Sequence, residues 1–280
     1  MIKLVTDSTA YLPDNAIREH DIRIVPLLVH FGEQEYKEGV ELSNEEFYAR
    51  LASAPELPTT SQPSAGDFYV VFKELHEAGH EIVCLTISSK LSGTWNSAMA
   101  AKEMLPEAKI SIVDSLTTAV GLYLMVEAAA EAIRNGASGQ QVVDQVEEVK
   151  SKLYVLFVVD TLEYLAKGGR IGNAKAFLGT MLKIKPILIL DNGAIEPLEQ
   201  VRSKRKALAR MLDLIQQHAG DKGAQARVAI THALATQEAQ EVKQKITARL
   251  GCREPNVADL GPVVGTHTGP GVVGVGTYVL

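Results

Sequence analysis

Four stretches of this chain carry side chains able to do chemistry. Asp7-Ser8-Thr9, Thr59-Thr60-Ser61 and Ser88-Ser89-Lys90-Leu91-Ser92-Gly93-Thr94 are rich in hydroxyls, and His267 stands inside Gly261-Pro262-Val263-Val264-Gly265-Thr266-His267-Thr268-Gly269-Pro270-Gly271. Ser92-Gly93-Thr94 runs into a helix. Gly93 there permits close backbone approach, and the helix offers free N–H groups and the positive end of its dipole, a seat for a carboxylate or phosphate. The plainer alternative is that Ser92 or Thr94 only caps that helix. Residues 59–64 pose the same choice: Ser64 is accounted for as a cap, whereas Thr59, Thr60 and Ser61 are left over. A neutral His267 imidazole could donate to a carboxylate and a charged one could pair with it; a histidine bonded only to backbone would do neither. Ser92 with His267 also supplies a hydroxyl and a base, the parts of a hydrolase or acyltransferase.

Cations and rejected motifs narrow the field. Arg170 follows a short helix broken by Gly168-Gly169, and an arginine on so tight a loop can fork to an anion. Arg202, Lys204, Arg205 and Lys206 crowd a helix N-terminus, where the dipole disfavours them, so they are either solvated or meet an acidic partner. His76-Glu77-Ala78-Gly79-His80 matches the HExxH pattern of zinc proteases. Gly79 ends that helix, which takes His80 off the face of His76, and no metal is expected. The phosphate-loop, dinucleotide and nucleophile-elbow patterns are absent, and spacing alone cannot assemble a serine, histidine and aspartate triad. Cys84 and Cys252 have no metal-ligand spacing and read as buried, inert thiols.

The elements that must position these groups begin as alternating strands and helices. Strands are expected at 2–6, 22–31, 81–88 and 110–113, with helices opening at Pro13, Ser43, Ser64, Thr94, Thr118 and Ser138. Ser43 with Glu46 and Ser64 with Asp67 have capping-box spacing. Three prolines in residues 55–64 argue against regular structure there. Such alternation implies a parallel sheet, whose ligands sit beyond the carboxyl ends of strands, where the hydroxyl-rich loops fall. After a strand at 154–159 the pattern changes. Residues 184–190 and 194–201 flank Asp191-Asn192-Gly193, an antiparallel hairpin signal, because Asn-Gly accepts the positive φ of a type I′ turn. Helices at 203–218 and 236–250 and a strand at 227–231 follow. The glycine-dense 261–271 stretch is too glycine-rich for a stable element unless its backbone approaches something closely. The expectation is an α/β protein of two domains. Residues 1–154 form an N-terminal ligand-binding domain, a parallel sheet flanked by helices. Residues 155–280 form a C-terminal mixed α/β domain with an antiparallel hairpin, closing the site.

Composition bounds the function. The 280 residues hold 28 Lys and Arg against 34 Asp and Glu, a net charge of −6, which disfavours non-specific binding to nucleic acid or anionic membrane. No apolar run approaches the ~18 residues of a membrane span. The N-terminus meets Asp7 too early for a signal peptide, and a cytoplasmic setting is expected.

Taken together, five motifs resemble the DegV family across nearly the whole chain. They are Val5-Thr6-Asp7-Ser8-Thr9, Thr60-Ser61-Gln62-Pro63-Ser64, residues 87–94, residues 160–171 and Gly265-Thr266-His267-Thr268-Gly269-Pro270-Gly271. The resemblance implies a two-domain α/β protein that buries a long-chain fatty acid, with no cofactor and no catalysis of its own. Several members resemble the fatty-acid-binding subunit of bacterial fatty acid kinase. By that likeness Thr60, Ser92, Gly93 and His267 would bind the carboxylate, with Ser61, Thr94, Asp7 and Ser8 behind them. Arg170, Arg202, Lys204 and Arg205 would meet acyl phosphate or a docking partner. The implied partners are a separate ATP-using kinase subunit, which would explain the missing phosphate loop, and an acyltransferase, with transient membrane contact.

Overall fold

A computed structural model describes residues 1–180 and 184–280. In chain order, the first half contains β1 (Ile2–Asp7), α1 (Asp14–His20), β2 (Arg23–Val25), β3 (Leu28–Phe31), β4 (Gln34–Lys37), α2 (Asn44–Ser53), β5 (Thr59–Ser61), α3 (Ala65–Glu77), β6 (Glu81–Thr86), α4 (Thr94–Glu103), β7 (Ile110–Asp114), α5 (Val120–Arg134) and α6 (Gly139–Lys152). The second half contains β8 (Tyr154–Val158), α7 (Glu163–Lys167), β9 (Lys185–Asp191), β10 (Ala194–Val201), α8 (Lys204–Ala219), β11 (Arg227–His232), α9 (Thr236–Leu250), β12 (Asn256–Asp259), α10 (Pro262–Thr268) and β13 (Val273–Tyr278).

The expected parallel sheet forms in the order β2-β1-β6-β7. A mixed sheet runs β10-β9-β8-β13-β11-β12, antiparallel except for β11 with β12. Residue 154 opens its first strand in sequence. α5 lies between the two sheets, and this position explains its composition: Val120, Leu122, Leu124, Met125, Val126 and Ala128 to Ala130 are buried around the helix rather than along one stripe. One core cluster therefore contains Leu4 and Val83 of the parallel sheet together with Val155 and Ala229 of the mixed one. The β9–β10 hairpin turns at Asn192 (φ 46°) and Gly193 (φ 83°), as the Asn-Gly pair predicts.

Two expectations are corrected by the structure, and a third is met through its stated condition. The strand expected over 22–31 breaks at Pro26, which lacks the N–H a ladder needs; β2 pairs with β1 while β3 turns away. β3 centres a small antiparallel sheet, β4-β3-β5, so the proline-rich stretch does hold a strand: between Pro58 and Pro63, residues 59–61 keep their donors and pair with β3. Residues 262–268 form a helix, and the close approach inferred there explains its glycines. A Cβ at Gly269 would lie 2.2 Å from the Tyr164 ring and one at Gly271 1.9 Å from Asp160 Oδ2. The Ser64–Asp67 capping box is complete, whereas at α2 only Ser43 caps and Glu46 turns to Arg50.

Candidate functional site

One largely apolar cavity opens between the loops at the carboxyl ends of the parallel strands and the mixed sheet. Measured to the centre of a water-sized sphere its volume is about 90 Å³, where one water needs roughly 10–15 Å³. Its walls include Val120 of α5, Val155 and Phe157 of β8, Leu190 and Ile195 of the hairpin and Gly274 of β13. Thr60, Ser61, Gln62, Ser92, Arg170 and His267 also line it. The structure thus brings together polar residues from four separate parts of the sequence.

At the centre of the polar wall, His267 Nε2 and Thr60 Oγ1 are 2.8 Å apart. β5 fixes Thr60 by pairing it with Val29, and α10 carries His267 into the same space. Burial, then the charge of Arg170, pushes the His267 pKa down to about 4, so the ring is neutral at pH 7. Its Nδ1 is buried without a partner among the described residues and lies where Gly168 comes closest, 2.2 Å from the place a Cβ there would take. Only glycine at 168 lets the ring stand there. In a neutral ring one nitrogen donates and the other accepts. With the proton on Nε2, His267 donates to Thr60 Oγ1 and the Thr60 hydroxyl proton is free to point into the cavity.

The remaining expected residues fall into layers. Ser92 Oγ is 2.9 Å from Thr94 Oγ1, and the buried Thr94 opens α4. Gly93 is the N-cap of α4 with no side-chain cap, and Gln62 packs where its Cβ would be, 3.1 Å away. Ser61 Oγ is 2.9 Å from His30 Nε2. Arg170 donates from Nε to Leu91 O at 3.2 Å and from Nη1 to Gly168 O at 2.9 Å, tying its loop to the Ser88–Thr94 turn. Gly93, Thr94, Asp7 and Ser8 are absent from the cavity wall. Asp7 is fully buried, its pKa raised by burial to about 6, and it accepts from Thr9 N, Thr9 Oγ1 and Ile87 N, bracing β1 against β6. Ser8 donates to Glu38 and accepts from Leu27 N at 3.0 Å. Lys204 sits between Asp160 at 3.4 Å and Glu238 at 3.1 Å, away from the cavity, while Arg202 and Arg205 are exposed with no ion pair among the described residues.

For acyl chemistry Ser92 would need His267 within hydrogen-bond reach. Among the described residues the partner of Ser92 Oγ is Thr94, and that of His267 Nε2 is Thr60. α3 ends at Glu77, with Gly79 at φ 78°, so His80 does stand off the helix of His76. No described helix is long and apolar enough to cross a membrane. Sequence reasoning missed Gln62 as a wall residue and missed Glu38, Tyr11 and Tyr48, which hold α10 in place.

Comparison with known proteins fits this geometry. A family model, described as an uncharacterised protein, DegV family, matches residues 1–279. The chain belongs to the DegV family. Protein DegV of Bacillus subtilis is 38% identical over 275 residues, covering 98% of each chain. Among solved structures, a fatty-acid-binding DegV family protein from Thermus thermophilus is 35% identical, with a TM-score of 0.95 over 100% of this chain and 99% of that one. A stearic-acid-binding protein from Eubacterium ventriosum is 30% identical, with a TM-score of 0.94 over 100% and 98% of the two chains.

Proposed function

We propose that this DegV protein binds one long-chain fatty acid, its carboxylate at Thr60, Ser92, Gly93 and His267 and its acyl chain in the apolar cavity. The observation that carries the reading is an apolar cavity with a hydroxyl and imidazole cluster on one wall, in a chain 30% or more identical to proteins that bind fatty acids. Thr60, oriented by the neutral His267, donates to one carboxylate oxygen, and the Ser92 hydroxyl donates as well. Gly93 and the first turn of α4 add backbone donors and dipole, and Arg170 adds positive charge. Ser61, Thr94, Asp7 and Ser8 support this layer from behind. At ~0.8 kcal/mol per buried methylene, a long acyl chain contributes on the order of 10 kcal/mol before ordering costs, enough to hold the ligand through purification.

The finer reading is a carrier and not an enzyme. Residues 1–154 hold the ligand, residues 155–280 close over it, and the carboxylate is presented to a separate ATP-dependent kinase subunit. The resulting acyl phosphate passes to an acyltransferase in the bacterial cytoplasm, with transient membrane contact. Arg170 at the cavity wall suits the acyl phosphate. Arg202 and Arg205, exposed and unpaired among the described residues, suit an acidic docking face better than Lys204, which Asp160 and Glu238 already neutralise.

The test is calorimetry with stearate on Thr60→Val combined with Ser92→Ala. Losing two hydrogen bonds to a charged group, at ~1.5–3 kcal/mol each, weakens binding roughly 100-fold or more. Unchanged affinity would remove the carboxylate site. Reversing Arg202 and Arg205 to glutamate should abolish binding of the kinase subunit and spare stearate; a retained complex would remove the docking face.

A further inference from the structure

α10 carries His267 yet has no cap of its own. Its N-cap residue, Gly261, lacks a side chain and Pro262 lacks an N–H, so the first donors needing a partner are those of Val263 and Val264. Both are met from the far end of the chain. Val263 N donates to Glu38 Oε1 at 2.7 Å, and Val264 N donates to the Tyr11 hydroxyl oxygen at 3.1 Å. Tyr11 in turn donates to Glu38 Oε1 at 3.2 Å, and Ser8 donates to Oε2. Glu38 is 4% exposed and has no cation partner among the described residues, a costly place for a carboxyl unless its donors are the reason for it. Gly261 fits the same purpose: a Cβ there would lie 2.5 Å from the Tyr11 ring and 2.6 Å from Glu38 Oε1. Tyr48 adds a third tie, donating to Leu260 O at 3.0 Å.

The small sheet explains what this cap achieves. Glu38 leaves β4 with its N–H bonded to Leu27 O, just before β3, while the other edge of β3 pairs Val29 with Thr60. One three-stranded unit therefore grips α10 twice, by Glu38 at the first turn and by Thr60 at His267 in the last. We propose that Glu38 is a positioning residue for the carboxylate site: by capping α10 from within the small sheet it fixes His267 against Thr60. The ligand in this statement rests on the fatty-acid reading above; the cap does not. The titratable neighbours acting on Glu38 are Asp7 and Tyr11, with Tyr48 close by, and Arg170 acts on His267.

The test places Glu38→Gln in the wild-type and in the His267→Gln backgrounds. Stearate affinity is measured by calorimetry, and the His267 ring is followed by NMR in ligand-free protein. At pH 8, where the Glu38 carboxyl, raised by burial to about 7, is ionised, Glu38→Gln should weaken stearate binding about 10-fold in the wild type, the value of one hydrogen bond to a charged group, and less than about twofold when His267 is already gone. The His267 ring resonance should move, with its pKa rising from about 4 toward 6.5 as the ring loosens into solvent. Equal weakening in both backgrounds, or an unmoved ring resonance, overturns the proposal. Should Glu38→Gln not fold, Tyr11→Phe removes the acceptor for Val264 and is read the same way. If the wild type binds no stearate, the fatty-acid reading fails by itself, and the His267 resonance in the ligand-free variant still decides the positioning role: a shift supports it and an unmoved signal overturns it.

Discussion

Removing the His267 imidazole should change the pH dependence of stability in one direction. Its folded pKa is about 4 against an ordinary 6.5, because burial and the Arg170 charge disfavour the imidazolium. Between those values the unfolded chain binds a proton that the folded protein refuses. Stability from this residue is therefore fully present above about pH 6.5 and is lost as pH falls toward 4. About 2.5 pH units at 1.36 kcal/mol each give about 3 kcal/mol. Asp7 and Glu38 act in the opposite sense: burial raises them to about 6 and about 7, so their contribution is present at low pH and lost as pH rises through those values. Comparing wild type with His267→Gln cancels both. Urea unfolding of the two proteins from pH 8 to pH 4.5 covers about 2 of those units and should show the wild type losing about 2.5 kcal/mol more than the variant. A difference that stays constant with pH would mean that His267 is not held neutral by its surroundings, and the reading of burial and the Arg170 charge as the cause of its low pKa would fall with it.

Other changes test the same geometry by steric means. Gly168→Ala places a methyl 2.2 Å from His267 Nδ1 and 3.0 Å from Tyr164 O, so the ring must leave Thr60; stearate binding measured by calorimetry should fall roughly 10-fold, by about one hydrogen bond. Gly274→Val fills the cavity beside Thr231 and Phe157, and competition between acyl chains should show preference moving to shorter ones by a few methylenes, at ~0.8 kcal/mol each. Gly193→Ala meets Ser88 Oγ at 2.5 Å with φ at +83°. It should cost ~1–3 kcal/mol in urea unfolding through turn strain and loss of the Ser88 bond to Gly193 O at 2.7 Å.

The legible parts of this molecule are those whose signals are local. Alternating strands and helices, the Ser64–Asp67 capping box and the Asn192-Gly193 turn each state their geometry within a few residues, and the structure follows them. The small sheet was hidden because β5 is three residues long between prolines, too short for a period to register. α10 was hidden for a different reason. Its glycines argue against a helix, and the cap that permits one comes from Glu38, 225 residues away. Thr60, Ser92 and His267 could be singled out as spare polar groups in loops, but not as neighbours, since nothing local says that β5 and α10 meet. The cavity wall is unreadable in principle from one sequence: Val120, Val155 and Leu190 have the character of core residues and differ only in facing empty space.

The central claim is that a fatty acid occupies the cavity beside Thr60 and His267. The most direct measurement is to denature the purified protein, extract it with organic solvent and quantify released lipid by mass spectrometry against an equal mass of an unrelated protein from the same host. The account predicts close to one long-chain fatty acid per chain, falling sharply in Thr60→Val with Ser92→Ala. Fatty acid no higher than in the control would contradict it.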